Sequence, residues 1–287
     1  MAERVQAGAP PGSTEAGSPG DTAADPAVLS AAAERLARAE AERRPCAPVR
    51  DLLGPTDVAA AYAVQQHLAH ERLARGARVA GRKIGLTSAA VQRQVGVDRP
   101  DFGMLFDDMD VSDRAAAVPS ERLLQPRVEA EIAFVLGADL DIPELDLHRV
   151  RAAVDHARAA LEIVDSRIAG WDIAITDTVA DNASSGLFVL GPERVPLDRF
   201  EPREVTMRMT LDGREASTGD GAACLGDPLE ALLWLARTAR DFGDPLRAGQ
   251  VVLSGALGPL VPVGPGAVVH AGISALGSVS ATFTTTE

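Results

Sequence analysis

The chain predicts an α+β fold, with helices gathered near its start and a longer mixed region after them. Three observations predict it. Two amphipathic helical stripes fall within residues 27–75. From Val79 onward, short apolar runs alternate with turn residues. Residues 207–215 read as a plain hairpin with Asp212-Gly213 at its turn. Many short strands with scattered helices fit this class better than a doubly wound parallel sheet.

Residues 1–25 are mostly Ala, Gly, Pro, Ser and Glu. They carry too little apolar surface to offset ordering entropy, so a disordered tail is expected. They have no hydrophobic core segment, so they are not a signal peptide. Pro26 precedes a helix over 27–44, with Leu29, Ala33, Leu36 and Ala37 on one face. Pro45 and Pro48 interrupt it. A second helix is predicted over 57–75. Its stripe holds Val58, Ala61, Tyr62, Gln65, Leu68, Ala69 and Leu73. Residues 26–78 are thus expected to form a small helical N-terminal subdomain, and 79–287 a larger mixed domain. Within the latter, strands are predicted at 79–80, 132–136, 161–164, 186–190, 205–211, 250–253 and 278–283. Helices are predicted at 88–96, 147–160 and 228–242. No Gly-x-Gly-x-x-Gly is present, so a Rossmann dinucleotide site is not supported.

Composition excludes several function classes. The 287 residues include 41 Asp+Glu against 28 Lys+Arg, an unsuitable balance for a general nucleic-acid binder. Aromatics at 3 % are too few for a base-stacking platform. No apolar run reaches the ~20 residues that span a bilayer. Cys46 and Cys224 have neither CxxC nor zinc spacing, which suits incidental thiols in a reducing compartment. The expected location is the cytoplasm, with no nucleic-acid or membrane partner.

The candidate chemistry centres on acids. Glu129 and Glu131 sit two apart in a β-rich run, so their side chains share a face. Glu162 lies in a comparable apolar stretch. Brought together, three carboxylates would repel unless a cation neutralised them, and a hard divalent ion such as Mg²⁺ or Mn²⁺ suits an all-oxygen set. Spacing alone leaves open that these are surface glutamates on half-exposed strands. Lys83 stands between Gly81 and Gly85, where a ligand can approach closely, although a strand-end surface lysine would look the same. A neutral lysine beside a cation could move protons; a charged one could stabilise an enolate. Asp101, in Pro100-Asp101-Phe102-Gly103, is a turn cap or an acid/base group. Asp177, Asn182 and Ser184 form a polar segment, and Ser254-Gly255 follows an apolar run. A Gly-x-Ser-x-Gly nucleophile elbow is missing, and none of the five histidines falls in these motifs.

The runs Gly81-Arg82-Lys83-Ile84-Gly85-Leu86-Thr87, Pro100-Asp101-Phe102-Gly103, Asp177 to Gly186 and Leu253-Ser254-Gly255-Ala256 together carry a resemblance. Over roughly residues 28–285 the chain resembles the 2-keto-4-pentenoate (2-hydroxypenta-2,4-dienoate) hydratases of the fumarylacetoacetate hydrolase superfamily. The resemblance implies a mixed β-roll of that superfamily's C-terminal-domain type, with a metal inside its mouth. It implies Mg²⁺ or Mn²⁺ on Glu129, Glu131 and Glu162, proton transfer by Lys83 and Asp101, and a substrate pocket shaped by Asn182, Ser184, Ser254 and Gly255. It also implies a homo-oligomer acting on a small 2-oxo or 2-hydroxy dienoate. The sister 4-oxalocrotonate decarboxylases share the metal carboxylates and are the alternative. A non-catalytic complex partner is a further alternative, against which the intact Glu129, Glu131, Glu162 and Lys83 argue. The superfamily's carbon–carbon hydrolases use a histidine-assisted water, and no histidine stands near Lys83 in the sequence.

Overall fold

A computed structural model describes residues 24–88, 92, 99–113 and 117–285. The first helix, α1 (Pro26–Glu42), begins where the Asp25 carboxylate accepts the Ala27 N–H, with proline at the first turn. It buries Ala32, Ala33, Leu36 and Ala39. A short α2 (Arg50–Leu53) follows. α3 (Val58–Ala74) starts at Asp57, whose side chain accepts the Ala60 N–H. Its buried residues are Ala60, Ala61, Tyr62, Val64 and Gln65. Both predicted helices therefore form close to their expected limits, because cap and stripe are local features. Apolar residues of these helices share one continuous core with the strands that follow.

The strands are β1 (Val79–Gly85), β2 (Asp101–Phe106), β3 (Ala117–Val118), β4 (Pro126–Leu136), β5 (Val154–Asp165), β6 (Ser185–Leu190), β7 (Thr206–Leu211), β8 (Arg214–Asp220), β9 (Val251–Ala256), β10 (Val261–Pro262), β11 (Val268–Ile273) and β12 (Gly277–Phe283). They make two sheets. The larger has seven strands in the order β2-β1-β9-β4-β5-β6, with β10 also on β4; the smaller has five, β3-β12-β11-β7-β8. β1 and β9 run parallel, while β4 pairs antiparallel with both β5 and β9. In the smaller sheet, β12 alternates buried and exposed residues, as a sheet with one wet face must. In β4 and β5 nearly every residue is buried, so both faces of the larger sheet are covered.

Several expectations change. The predicted helix 147–160 stops at Ala153, and β5 begins at Val154. The Ala- and Arg-rich run has helical propensity, but pairing with β4 and β6 on either side overrides it. The predicted strand at 79–80 runs on to Gly85, and the one at 132–136 starts at Pro126. Asp101 opens a buried strand, so of its two readings the turn cap does not form. The predicted helix at 88–96 and nearly all of the 1–25 tail fall outside the described residues. Among those described, no helix is long and apolar enough to cross a membrane.

Candidate active site

The order of the larger sheet does the assembling. Five adjacent strands, β2, β1, β9, β4 and β5, carry Asp101, Lys83, Gly255, Glu129 with Glu131, and Glu162. On β4, strand alternation puts Glu129 and Glu131 on one face. The β4–β5 register sets Glu129 directly opposite Glu162, so Glu162 joins the same face. All three are buried, at 8 %, 0 % and 1 % exposure for Glu129, Glu131 and Glu162. One oxygen from each lies within 4.8 Å of the others. The surface reading of these glutamates is thereby excluded.

Lys83 Nζ lies 3.2 Å from Glu162 Oε1 and donates to the Ala183 carbonyl at 3.0 Å. Asp101 pairs with Gly85 across β1 and β2. A Cβ at Gly85 would sit 2.2 Å from Asp101 Oδ1, so only glycine leaves room for this carboxylate. Asp101 Oδ2 receives the Thr178 hydroxyl at 3.4 Å. Asp101 Oδ1 is buried without a hydrogen-bond partner among the described residues.

The electrostatics follow from burial. Desolvation pushes Glu129 up to about 7, with Glu162 adding repulsion and Lys83 opposing. Desolvation and the two other glutamates hold Glu131 well above the usual carboxylate range. Glu162 and Asp101 are raised by burial too, with Lys83 the chief counterweight in each case. For Lys83, burial works against the ammonium, but Glu162, Asp101, Glu129 and Glu131 more than offset it and hold the amine above its ordinary value. Without a cation, the site therefore keeps Lys83 charged. One ammonium cannot balance three glutamates. Glu131 Oε1 and both Glu162 oxygens are buried without hydrogen-bond partners among the described residues, Lys83 approaching Glu162 outside hydrogen-bonding geometry. Buried orphan carboxylate oxygens in convergent array fit a hard divalent cation.

The four residues expected around the substrate fare differently. The Gly255 N–H donates to Glu131 Oε2 at 2.8 Å. Its φ of +107° and the Thr87 side chain, 2.4 Å from where a Cβ would be, both require glycine. Gly255 thus orients a carboxylate. Ser254 is fully buried, and its carbonyl accepts from Cys224 Sγ at 2.8 Å. Asn182 is bound on both sides of its amide: Oδ1 accepts the Met104 N–H at 2.7 Å, and Nδ2 donates to the Met104 carbonyl at 2.9 Å. That amide locks a turn to β2. Ser184 lies deeper, its hydroxyl 3.5 Å from Thr178 and 3.4 Å from Asp181. Asp177 lies away from the carboxylates, accepting from Arg50 and from the Ala174 N–H. Asn182, Ala183 and Ser184 have φ of 56°, 51° and 52°. Three successive L-residues in the left-handed region cost about 1–2 kcal/mol each. This strained turn delivers the Ala183 carbonyl to Lys83. No side-chain signal marks Ala183 in the sequence, since its contribution is backbone alone.

A separate cavity of about 370 Å³ lies between α1, α3 and the strands, lined by Leu36, Arg72, Phe106, Arg167, Asn182 and Ser185 among others. The three glutamates, Lys83 and Asp101 do not line it.

The mixed sheets and the buried acidic centre define a class. The fumarylacetoacetate (FAA) hydrolase C-terminal family model matches residues 83–284. Within that superfamily, the chain belongs to the 2-keto-4-pentenoate hydratase family. It is 52 % identical to a TodF product hydratase of Pseudomonas putida, over 92 % of this chain and 97 % of the relative. It is also 52 % identical to a 2-keto-4-pentenoate hydratase of Paraburkholderia xenovorans, over 88 % and 93 % respectively. A solved 4-oxalocrotonate decarboxylase from Pseudomonas putida G7, complexed with magnesium and adipate, superposes with a TM-score of 0.84 at 35 % identity, covering 90 % of this chain and 97 % of that one.

Proposed function

We propose that the protein hydrates 2-hydroxypenta-2,4-dienoate, or a close analogue, to 4-hydroxy-2-oxopentanoate. One observation carries this reading: three buried glutamates converge beside Lys83 and Asp101 in a chain half identical to 2-keto-4-pentenoate hydratases over nearly its whole length. Glu129, Glu131 and Glu162 would hold the divalent cation, Mg²⁺ or Mn²⁺. When bound, that ion supplies Lewis-acid stabilisation of negative charge on the substrate's carboxylate and 2-oxygen.

The chain's own groups handle the protons. The substrate loses its enol proton and gains one at C5, which leaves a conjugated 2-oxo-3-enoate. Water then adds, its hydroxyl to C4 and a proton to C3. Lys83, which approaches Glu162 and donates to the Ala183 carbonyl, is the proton donor in this reading. Asp101 Oδ1, buried and without a hydrogen-bond partner among the described residues, is the acceptor for the proton that the attacking water releases. Gly255 keeps Glu131 oriented, and Ser184 lies on the same wall as Asp101 through Thr178.

The test is an ultraviolet assay for loss of the dienoate chromophore, with and without Mg²⁺ or Mn²⁺, run beside the same assay on 2-oxo-3-hexenedioate. Hydration of the monoacid that needs a divalent ion is the expected result. The decarboxylase alternative, the activity named for the 35 % identical neighbour, gains if CO₂ leaves the diacid faster than the monoacid is hydrated. A homo-oligomer belongs to the proposal as well, and light scattering of the purified protein measures it.

A further inference from the structure

Gln65 lies on the apolar face of α3 at 3 % exposure. A buried amide there must find partners. Its Nε2 donates to two carbonyls, Phe102 at 3.0 Å and Val179 at 2.9 Å. Phe102 is the residue after Asp101 on β2. Val179 is the residue after Thr178 in the helix Ile175–Ala180. One side chain therefore ties the strand that bears Asp101 to the helix that bears Thr178. Thr178 is itself buried, and its hydroxyl reaches Asp101 Oδ2. The Asp101 carboxylate is thus held at one oxygen, while Oδ1 stays unpartnered among the described residues.

We propose that Gln65 and Thr178 are positioning residues acting as one clamp on Asp101. Gln65 sets the distance between strand and helix; Thr178 sets the rotation of the carboxylate, so that Oδ1 faces the reacting atoms. The inference rests on the reading of Asp101 as a proton carrier. It gives the helical layer before residue 83 a part in the chemistry, although the superfamily model begins only there. Other contacts from that layer brace the same two elements. Tyr62 stacks on Phe102 with ring centroids 4.8 Å apart. The Arg50 N–H and guanidinium donate to Asp177 at 2.9 and 2.6 Å, holding the start of the Ile175–Ala180 helix. The Thr178 contact with Asp101, at 3.4 Å, is long for O–H···O. A misplacement of about 1 Å can cost about 10²-fold in rate, so a clamp of this kind has kinetic weight.

The experiment uses full-length protein with Mg²⁺, well below the melting point of every variant. Gln65→Met keeps the volume and removes the donor; Thr178→Val removes the hydroxyl; Thr178→Ser restores it. Thr178→Val should lower kcat about tenfold with KM within about twofold, and Thr178→Ser should recover most of the loss. Gln65→Met should lower kcat by a similar factor. The double variant should be no slower than the slower single, because both act through one carboxylate, while the Tm losses add. Wild-type kcat in Thr178→Val, losses confined to Tm, a serine variant as slow as the valine one, or kcat losses that multiply would each overturn the clamp. If Gln65→Met does not fold, the valine and serine pair decides alone. Asp101→Asn separates the two layers of the argument. A variant that hydrates at the wild-type rate overturns the role of Asp101 and the clamp with it. An inactive Asp101→Asn beside wild-type kcat in Gln65→Met and Thr178→Val overturns the clamp only.

Discussion

Two buried ionic clusters lie on either side of the turn at 182–184, and they are built oppositely. In one, Asp181 meets Arg167. Its Oδ2 accepts from Ser166 Oγ at 3.1 Å and the Arg167 N–H at 3.0 Å, and its Oδ1 pairs with Arg167 Nε. The guanidinium also donates to the Asp165 and Ser185 carbonyls at 2.8 and 2.7 Å. One negative charge meets one positive charge, and both carboxylate oxygens are engaged. In the other, Glu129, Glu131 and Glu162 face the single ammonium of Lys83, and three carboxylate oxygens have no hydrogen-bond partner among the described residues. The first cluster is closed and braces the fold. The second is open, and its surplus charge and free oxygens mark it for a ligand. Burial alone does not separate them, since Asp181 is as buried as the glutamates and the Arg167 side chain is only 12 % exposed; residual charge and unpartnered atoms do.

The largest way to break this contrast is to neutralise the open cluster. Glu129→Gln, Glu131→Gln and Glu162→Gln should each abolish Mg²⁺ binding by calorimetry and reduce turnover to background. Above about pH 7, where its carboxylate ionises, Glu129→Gln should also melt higher than wild type when both are metal-free, because a repelling buried charge has gone. Full turnover by protein shown metal-free by elemental analysis would place the chemistry elsewhere. Next come the groups at the edge of the cluster. Lys83→Ala and Asp101→Asn should lower kcat by about 10²-fold or more while cation affinity largely survives. Deuterium incorporation at the substrate's vinyl end in D₂O sorts their roles, since a variant that exchanges without hydrating has lost only the water-addition step.

The closed cluster should answer in stability. Arg167→Met leaves Asp181 buried and unpaired, so denaturant unfolding should show a loss of about 3–5 kcal/mol. A loss within error would mean that the pair is not the brace described. The smallest effect is the pH dependence of the metal-free protein. Burial, then Glu162, raises Glu129 from 4.5 to about 7 in the folded state. The folded chain then keeps a proton that the unfolded chain releases, so stability is full below about 4.5 and declines as pH climbs through about 7. Burial raises Asp181 from 3.8 to about 6, which adds a decline of the same sign in a lower window. Chelated protein should melt progressively lower between about pH 5 and 7, and saturating Mg²⁺ should flatten the upper part of that slope, which belongs to the glutamates. An unchanged slope with Mg²⁺ would assign it to the closed cluster instead.

By itself, the sequence determined what short-range sterics and periodicity control. Asp25 and Asp57 start helices where cap residues should, and the Asp212-Gly213 hairpin forms as its turn requires. Strand alternation was enough to put Glu129 and Glu131 on one face. Gln65 was visible as a polar residue on an apolar stripe, but nothing local says which carbonyls it reaches. The tertiary structure alone decided the rest. Residues 154–160 have helical composition and become strand because β4 and β6 pair with them. Glu162 meets Glu129 through a register between strands, and the Gly255 N–H reaches Glu131 from 124 residues away. The Asn182 amide, polar and near the site in sequence, turned out to bind its own scaffold. Local preference is set over a few bonds, whereas convergence, burial and the charge left unpaired depend on contacts between strands and helices far apart in the chain.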